Sequence, residues 1–131
     1  MGISCGVDIV EIDRIRKATE KNRFIERIYT AGEAEYCNSR SAGKHESFAV
    51  RYAAKEAVIK ALGVGKPTGI TWQDIETIHK SSGKPVVLLH NHAMRCLKWK
   101  GGGANAVYVS IAHDGGKAIA FVVMERVEET K

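Results

Sequence analysis

The chain is poor in the residues that stiffen or staple a fold. It has two prolines, Pro67 and Pro85, and three cysteines, Cys5, Cys37 and Cys96. An odd set of thiols with no CxxC spacing argues against a disulfide framework or a zinc knuckle and for buried thiols in a reducing compartment. Aromatic residues make up 7% of the sequence, and no strand interleaves aromatic with basic side chains, the pattern that stacks the bases of single-stranded RNA. No apolar run reaches the ~18 residues of a membrane-spanning helix. Met1 leads into a strand-like segment with no basic leader. These absences lead us to expect a cytoplasmic protein with neither a membrane nor a nucleic-acid partner.

What is present is ordinary for a globular protein: 44% hydrophobic and 27% charged residues in 131. That length suits one domain, 1–131, burying roughly two-thirds of its unfolded surface. Twenty basic against fifteen acidic residues leave a net charge of +5. The excess favours an anionic partner, whether nucleic acid, a phosphorylated small molecule or an acidic protein.

The strongest helical pattern is Phe48-Ala-Val-Arg-Tyr-Ala-Ala-Lys-Glu-Ala-Val-Ile-Lys-Ala-Leu-Gly63, within a helix predicted from about Glu46 to Leu62. Phe48, Tyr52, Ile59 and Leu62 recur at helical spacing, alanines favour the helix and Gly63 can end it. Lys55 interrupts the apolar stripe and Glu56 borders it. Such a pair must be solvated in a cleft, paired, or bound to something.

Ile3 to Ile12 alternates as a strand, with Ile3, Cys5, Val7 and Ile9 on one face and Gly6, Asp8, Val10 and Ile12 on the other. Asp8 is anomalous there, because aspartate is depleted in strands; an edge position satisfied by backbone or an arginine is the structural alternative. Asp13 is placed to cap a helix beginning at Arg14. A basic run follows, Arg14, Arg16, Lys17, Lys21, Arg23 and Arg27, which reads either as a solvated face or as a docking surface for an acidic partner. Thr30-Ala-Gly-Glu33 is a capping box opening a short helix through Tyr36, and Asn38 to Lys44 reads as a loop.

Gly63-Val-Gly-Lys-Pro-Thr68 fails as a phosphate loop, since Pro67 replaces the hydroxyl residue and a helix precedes it. Asp74 to His79 and Val86 to His90 are predicted strands around a turn at Ser81 to Pro85. His90 and His92 have metal-ligand spacing but no third ligand near them, so surface histidines are the better reading. A short helix is predicted over Ala93 to Lys98, then a loop at Gly101 to Gly103. Ala106 to His113 alternates as a strand, Asp114-Gly-Gly turns, and Ala118 to Met124 returns. The tail from Glu125 is expected to fray. Helices mixed with mostly antiparallel strands predict an α+β fold, a sheet packed against one long helix and shorter ones.

Two carboxylates, Asp8 from a strand and Glu56 from a helix, suit a Mg²⁺ ion that completes its shell with waters and phosphate oxygens. Lys60, one turn beyond Glu56, is placed to offset phosphoryl charge, and His113 to hold substrate or move a proton. The bland alternative is a surface Glu56–Lys60 pair worth ~0.3–0.5 kcal/mol and an unrelated Asp8.

Gly6-Val-Asp8-Ile-Val-Glu-Ile12, the Phe48–Gly63 helix with its x-x-Lys-Glu-Ala-x-x-Lys core, Gly83-Lys-Pro85 and Val109-Ser-Ile-Ala-His113 together resemble the small holo-acyl-carrier-protein synthases, the bacterial-type 4′-phosphopantetheinyl transferases. The Tyr29-Thr30…Glu33…Tyr36-Cys37 segment is similar to the family's phenylalanine-threonine…glutamate stretch. The likeness spans nearly the whole chain, in order. It implies transfer of 4′-phosphopantetheine from coenzyme A to a serine of apo-acyl carrier protein, with release of 3′,5′-ADP and a place in fatty acid biosynthesis. It further implies Asp8 and Glu56 as Mg²⁺ ligands, and Lys60 against the diphosphate. Gly63, Lys84, Pro85 and His113 would line the coenzyme A site, with Arg51 and Lys55 supporting it. The basic run Arg14, Arg16, Lys17, Lys21 and Arg23 would receive the acidic carrier. The resemblance also implies a homotrimer with active sites between subunits.

Two departures matter. Ala112-His113-Asp114 stands where many relatives have Ser-His-Thr, leaving Asp114 to orient His113, act as base, or simply serve the turn. Val10 stands where the larger transferases carry another carboxylate, so water, Glu56 and Asp114 remain alternative proton acceptors. Two other classes compete with the transferase: a small basic RNA-binding module without catalysis, and a non-catalytic assembly protein in which Lys55 and Glu56 form an interface pair.

Overall fold

The structure is a computed structural model describing residues 2–63, 69–94 and 106–126. Its frame is a long helix lying on a three-stranded antiparallel sheet. The strands are β1 (Gly2–Glu11), β4 (Ala106–Asp114) and β5 (Lys117–Arg126), in the order β1-β5-β4. A separate antiparallel pair is formed by β2 (Ile75–His79) and β3 (Pro85–Leu89). Between β1 and β2 run α1 (Ile12–Ala18), α2 (Asn22–Ile28), α3 (Ala31–Asn38) and α4 (Lys44–Leu62). The predicted α+β class is what the chain adopts.

Small residues set the distance between α4 and the sheet. Ala49, Ala53, Ala54, Ala57 and Ala61 are all buried. Gly6 of β1 lies so close that a Cβ there would overlap the Ala57 carbonyl oxygen, which is why glycine is needed in this strand. Phe48 and Leu62 of the expected apolar stripe are buried at 0% and 1% exposure, while Tyr52 and Ile59 are half-buried. Gly63 closes α4 in the left-handed region at φ 68°, a conformation glycine adopts without a steric penalty.

The hairpin between β4 and β5 turns on Gly115 and Gly116, both at positive φ (56° and 79°), as a tight two-residue turn demands. Register then places Asp8 opposite Ala120 and Val10 opposite Ala118, with Ile111 and His113 beyond them on β4. Alternation along β1 is as the sequence implies. Gly6 and Val10 are buried beneath α4, whereas Ile3, Val7 and Ile9 are 73%, 48% and 60% exposed on the far face.

Several boundaries differ from expectation. Ile12 does not extend β1 but starts α1, its N–H bonding to the Gly116 carbonyl. Glu11, not Asp13, therefore occupies the N-cap and makes no side-chain cap bond. Asp13 sits inside the first turn, held by Arg16 at 2.8 Å and Lys17 at 3.4 Å. Those pairs, Arg16 first and then Lys17, keep its carboxyl below the usual range. Part of the expected loop at 38–44 is a 3₁₀ turn, Ser41–Gly43, and α4 begins at Lys44. The predicted capping box is formed: Glu33 N–H donates to Thr30 Oγ1 at 3.1 Å and Thr30 N–H to Glu33 Oε1 at 3.0 Å. β5 continues through Arg126. Of the predicted segments, residues 64–68 of the loop after α4, residues 95–98 of the helix expected over Ala93 to Lys98, the glycines 101–103, and residues 127–131 of the tail expected from Glu125 lie outside the described residues.

Candidate active site

Strand alternation points Asp8 toward α4, and the helix meets it with Lys60. The amine donates to Asp8 Oδ1 at 3.1 Å and to the Val7 carbonyl at 3.0 Å. Asp8 is 18% exposed and Lys60 54%, so the pair lines an open edge rather than the core. Glu56 stands one helical turn before Lys60 and is half-buried. Tyr52, a further turn back, senses the same group of charges. Burial raises its phenol first, the Glu56 and Asp8 charges add to that, and Arg14 acts against it, partly through a hydrogen bond. Asp8, Glu56, Lys60, Tyr52 and Arg14 thus share one locality at the junction of β1, α1 and α4. The Tyr52 ring is fixed by stacking with Trp72 at 5.5 Å and Phe24 at 6.3 Å.

Among the described residues no three His, Cys, Asp or Glu side chains form a metal-binding group. Two carboxylates from different elements still fit Mg²⁺, which keeps several waters and prefers oxygen donors.

Lys55 goes elsewhere. Its side chain is 0% exposed, and its amine donates to Glu33 Oε1 at 2.7 Å, to the Trp72 carbonyl at 3.1 Å and to the Ile75 carbonyl. Glu33, also 0% exposed, accepts the Thr77 N–H at 3.0 Å on its other oxygen. The ion pair therefore ties α3, α4 and β2 together inside the protein. Burial pulls the Lys55 amine below its ordinary value while Glu33 opposes the shift. The expected support of the coenzyme site by a Lys55 amine in the cleft is corrected: the amine is consumed in the core, because Glu33 and two carbonyls satisfy it there.

A cleft of about 220 Å³ opens between α3, α4 and β4. Arg51, Arg40, His79 and His113 line it together with Tyr36, Ser47 and Ile111. His113 is exposed and lies on the same sheet face as Asp8, with β5 between their strands. Two strand spacings put their backbones about 10 Å or more apart. Asp114 follows His113 at the end of β4, alternates to the other sheet face and is exposed at the turn. Lys84 and Pro85 line a different groove, about 380 Å³, with Val107 and Tyr108. The expected coenzyme residues are therefore spread over three places: Lys60 and Gly63 late in α4, Arg51 and His113 at the cleft, Lys84 and Pro85 at the β2–β3 turn.

The basic run spans two helices. Arg14, Lys17, Lys21 and Arg23 are exposed. Arg16 and Lys17 are engaged by Asp13, and Arg16 also by Glu20 at 3.4 Å. His90 bonds to Glu76 at 2.9 Å.

Three residues of this architecture escaped sequence reasoning. Tyr52 was legible only as part of an apolar stripe, although its spacing one turn before Glu56 was a signal. Glu33 was read as a cap and is also the counter-ion of Lys55. His79, which bonds to Arg51, carried no motif at all.

Residues 4–120 match the model of the 4′-phosphopantetheinyl transferase superfamily. The chain is 42% identical over 127 residues to a holo-[acyl-carrier-protein] synthase of Solibacter usitatus, covering 95% of this chain and 99% of that one. It is 40% identical to the synthase of Geobacter sulfurreducens, covering 92% and 95%. Its fold matches a synthase–coenzyme A complex of Chronobacterium ammoniagenes with TM-score 0.86 at 25% identity, covering 98% of this chain and 100% of that one. A Helicobacter pylori synthase in complex with coenzyme A aligns with TM-score 0.77 at 32% identity, covering 92% and 99%. The chain is thus an enzyme of the 4′-phosphopantetheinyl transferase class. Within that class it belongs to the holo-[acyl-carrier-protein] synthase family.

Proposed function

We propose that this enzyme transfers 4′-phosphopantetheine from coenzyme A to a serine hydroxyl of an apo-acyl carrier protein of fatty acid synthesis, releasing 3′,5′-ADP. The observation that carries the reading is the Asp8–Lys60 contact beside Glu56, a mixed acidic and basic site suited to a diphosphate and its counter-ion. Asp8 and Glu56 would hold Mg²⁺, which when bound neutralises diphosphate charge and orients the displacement.

The chain's own groups do the rest. Lys60 offsets the charge that grows on the leaving 3′,5′-ADP, while Arg51 and His113 hold anionic parts of coenzyme A, with Gly63, Lys84 and Pro85 completing its site. The serine oxygen bonds to the β-phosphorus as the bond to the bridging oxygen breaks, and that oxygen leaves with the electron pair. The serine proton passes to Glu56, to Asp114 or to water at the site. Arg14, Lys21 and Arg23, with Arg16 and Lys17 beside them, receive the acidic carrier and steer its approach.

A homotrimer with sites between copies fits two observations. The outer sheet face leaves Ile3, Val7, Ile9, Tyr108, Ile119 and Phe121 between 39% and 73% exposed, and such a contiguous apolar face marks an interface. The coenzyme residues of one chain also lie apart. A monomer by light scattering, unchanged by Ile9→Asp, contradicts this assembly. The free thiol of Cys37 is buried as expected, whereas that of Cys5 is exposed on the outer sheet face; both suit a reducing cytoplasm. Among the described residues no helix is long and apolar enough to cross a membrane.

The metal requirement is tested by chelation. Transfer should stop when divalent cations are removed and return with Mg²⁺; transfer that persists in chelator removes the metal from the reading.

A further inference from the structure

Arg51 is a cation almost wholly withdrawn from water, at 1% exposure. Its Nη1 donates to Ser47 Oγ at 2.9 Å, its Nη2 meets His79 Nδ1 at 2.9 Å, and its guanidinium lies 4.4 Å from the centre of the Tyr36 ring. Each of these groups is neutral, so together they orient the charge without discharging it. The Nε atom is buried and has no hydrogen-bond partner. An unsatisfied donor on a buried cation is a costly arrangement, so the groups that do hold the guanidinium matter for its placement.

His79 is the adjustable member of this set. Guanidinium nitrogens only donate, so Nδ1 must be the accepting, unprotonated nitrogen of a neutral ring. The ring stacks on Tyr36 at 4.8 Å, only 8° from parallel. A charged ring would turn an N–H toward Arg51 and set two cations within hydrogen-bonding distance. Burial, then Arg51, then Arg40 hold the imidazole below its ordinary value. Tyr36, Arg51 and Arg40 act on it directly, and Glu46 and Ser47 from α4 and His113 from β4 line the same cleft.

We propose that His79 is a positioning residue of this transferase, fixing the Arg51 guanidinium for the anionic groups of coenzyme A and doing so only while its ring is uncharged. The inference rests on the reading that Arg51 belongs to the coenzyme site. It also fixes a sign. Protonation of His79 weakens coenzyme binding.

The test uses the full-length enzyme, coenzyme A titrations by calorimetry, and steady-state transfer to an apo-carrier. His79→Ala should raise the coenzyme KM and Kd about tenfold, the size expected for a lost hydrogen bond to a charged group, with kcat within about twofold. His79→Asn, whose side-chain oxygen can accept in place of Nδ1, should recover most of that loss. In the wild type the coenzyme KM should rise as pH falls into the range, below the ordinary imidazole value, where His79 takes up a proton, and this limb should be missing in His79→Asn. An unchanged KM in His79→Ala overturns the proposal, as does an Asn variant that melts like wild type yet binds no better than Ala. A wild-type acid limb that persists in His79→Asn overturns it too. Arg51→Ala separates the two levels: unchanged coenzyme affinity there removes Arg51 from the coenzyme site and the inference with it, whereas weakened affinity with a neutral His79→Ala sinks the inference alone.

Discussion

Lys60 reaches Asp8 across fifty-two residues of chain, its amine 3.1 Å from Oδ1. The contact brings the last turn of α4 to the middle of β1 and places a lysine-paired carboxylate in the locality of Glu56. A helix surface pair between Glu56 and Lys60 alone, worth a few tenths of a kcal/mol, would need no aspartate on the strand.

Lys60→Met should lower kcat by about 10²-fold, the scale of one removed electrostatic contact to a transition state, with coenzyme affinity changed far less. Stopped-flow or quench measurements of single-turnover transfer check this. A variant with wild-type kcat would return Lys60 to a purely structural pairing with Asp8.

Lys55 and Glu33 make a different prediction, because both are fully buried. Removing one partner of such a pair costs about 3–5 kcal/mol. Lys55→Met should therefore lower the urea midpoint strongly or abolish folding, while Lys55→Met combined with Glu33→Leu should recover part of the loss. A stable Lys55→Met enzyme with weakened coenzyme binding would restore the amine to the site.

Glu76 links stability to pH. Burial works to raise its carboxyl, but the Thr30 hydroxyl at 2.7 Å and His90 at 2.9 Å outweigh it and hold it below 4.5. The unfolded chain then binds more protons than the folded one in that range, so this contribution is present above 4.5 and fades as pH falls below it. Thermal melts between about pH 5 and about pH 3 should drop less steeply for Glu76→Gln than for wild type. Parallel curves contradict the assignment.

Carrier docking should show in salt. Lys21→Ala and Arg23→Ala, at exposed positions, should each raise the carrier KM several-fold at low ionic strength and flatten its salt dependence. Arg16→Ala should do less, since Asp13 and Glu20 already engage that side chain. Equal carrier KM values at all salt concentrations would move the docking surface elsewhere.

Elements whose signal is local were legible in the sequence. The alternation of β1, the Asp-Gly-Gly hairpin and the Thr30–Glu33 capping box all depend on neighbours a few residues apart, and they stand as expected. The x-x-Lys-Glu-Ala-x-x-Lys core marked α4 and singled out Glu56 and Lys60. The fate of Lys55 was not legible, because its partner lies 22 residues earlier and its carbonyl acceptors about 20 later. The same holds for Arg51 and His79, 28 residues apart. Periodicity shows which face a side chain takes and is silent on which distant group meets it. The α1 boundary shifted for a related reason: the Gly116 carbonyl, from the far end of the chain, captures the Ile12 N–H.

The most direct measurement is the intact mass of an apo-acyl carrier protein incubated with this enzyme, coenzyme A and Mg²⁺. The carrier should gain one phosphopantetheine arm on its serine, and Asp8→Ala or Glu56→Ala enzymes that melt like wild type should give less than about 1% of that rate. A carrier whose mass never changes, across a panel of apo-carriers and divalent metals, would contradict the transfer reaction itself. Full activity in either carboxylate variant would contradict the site.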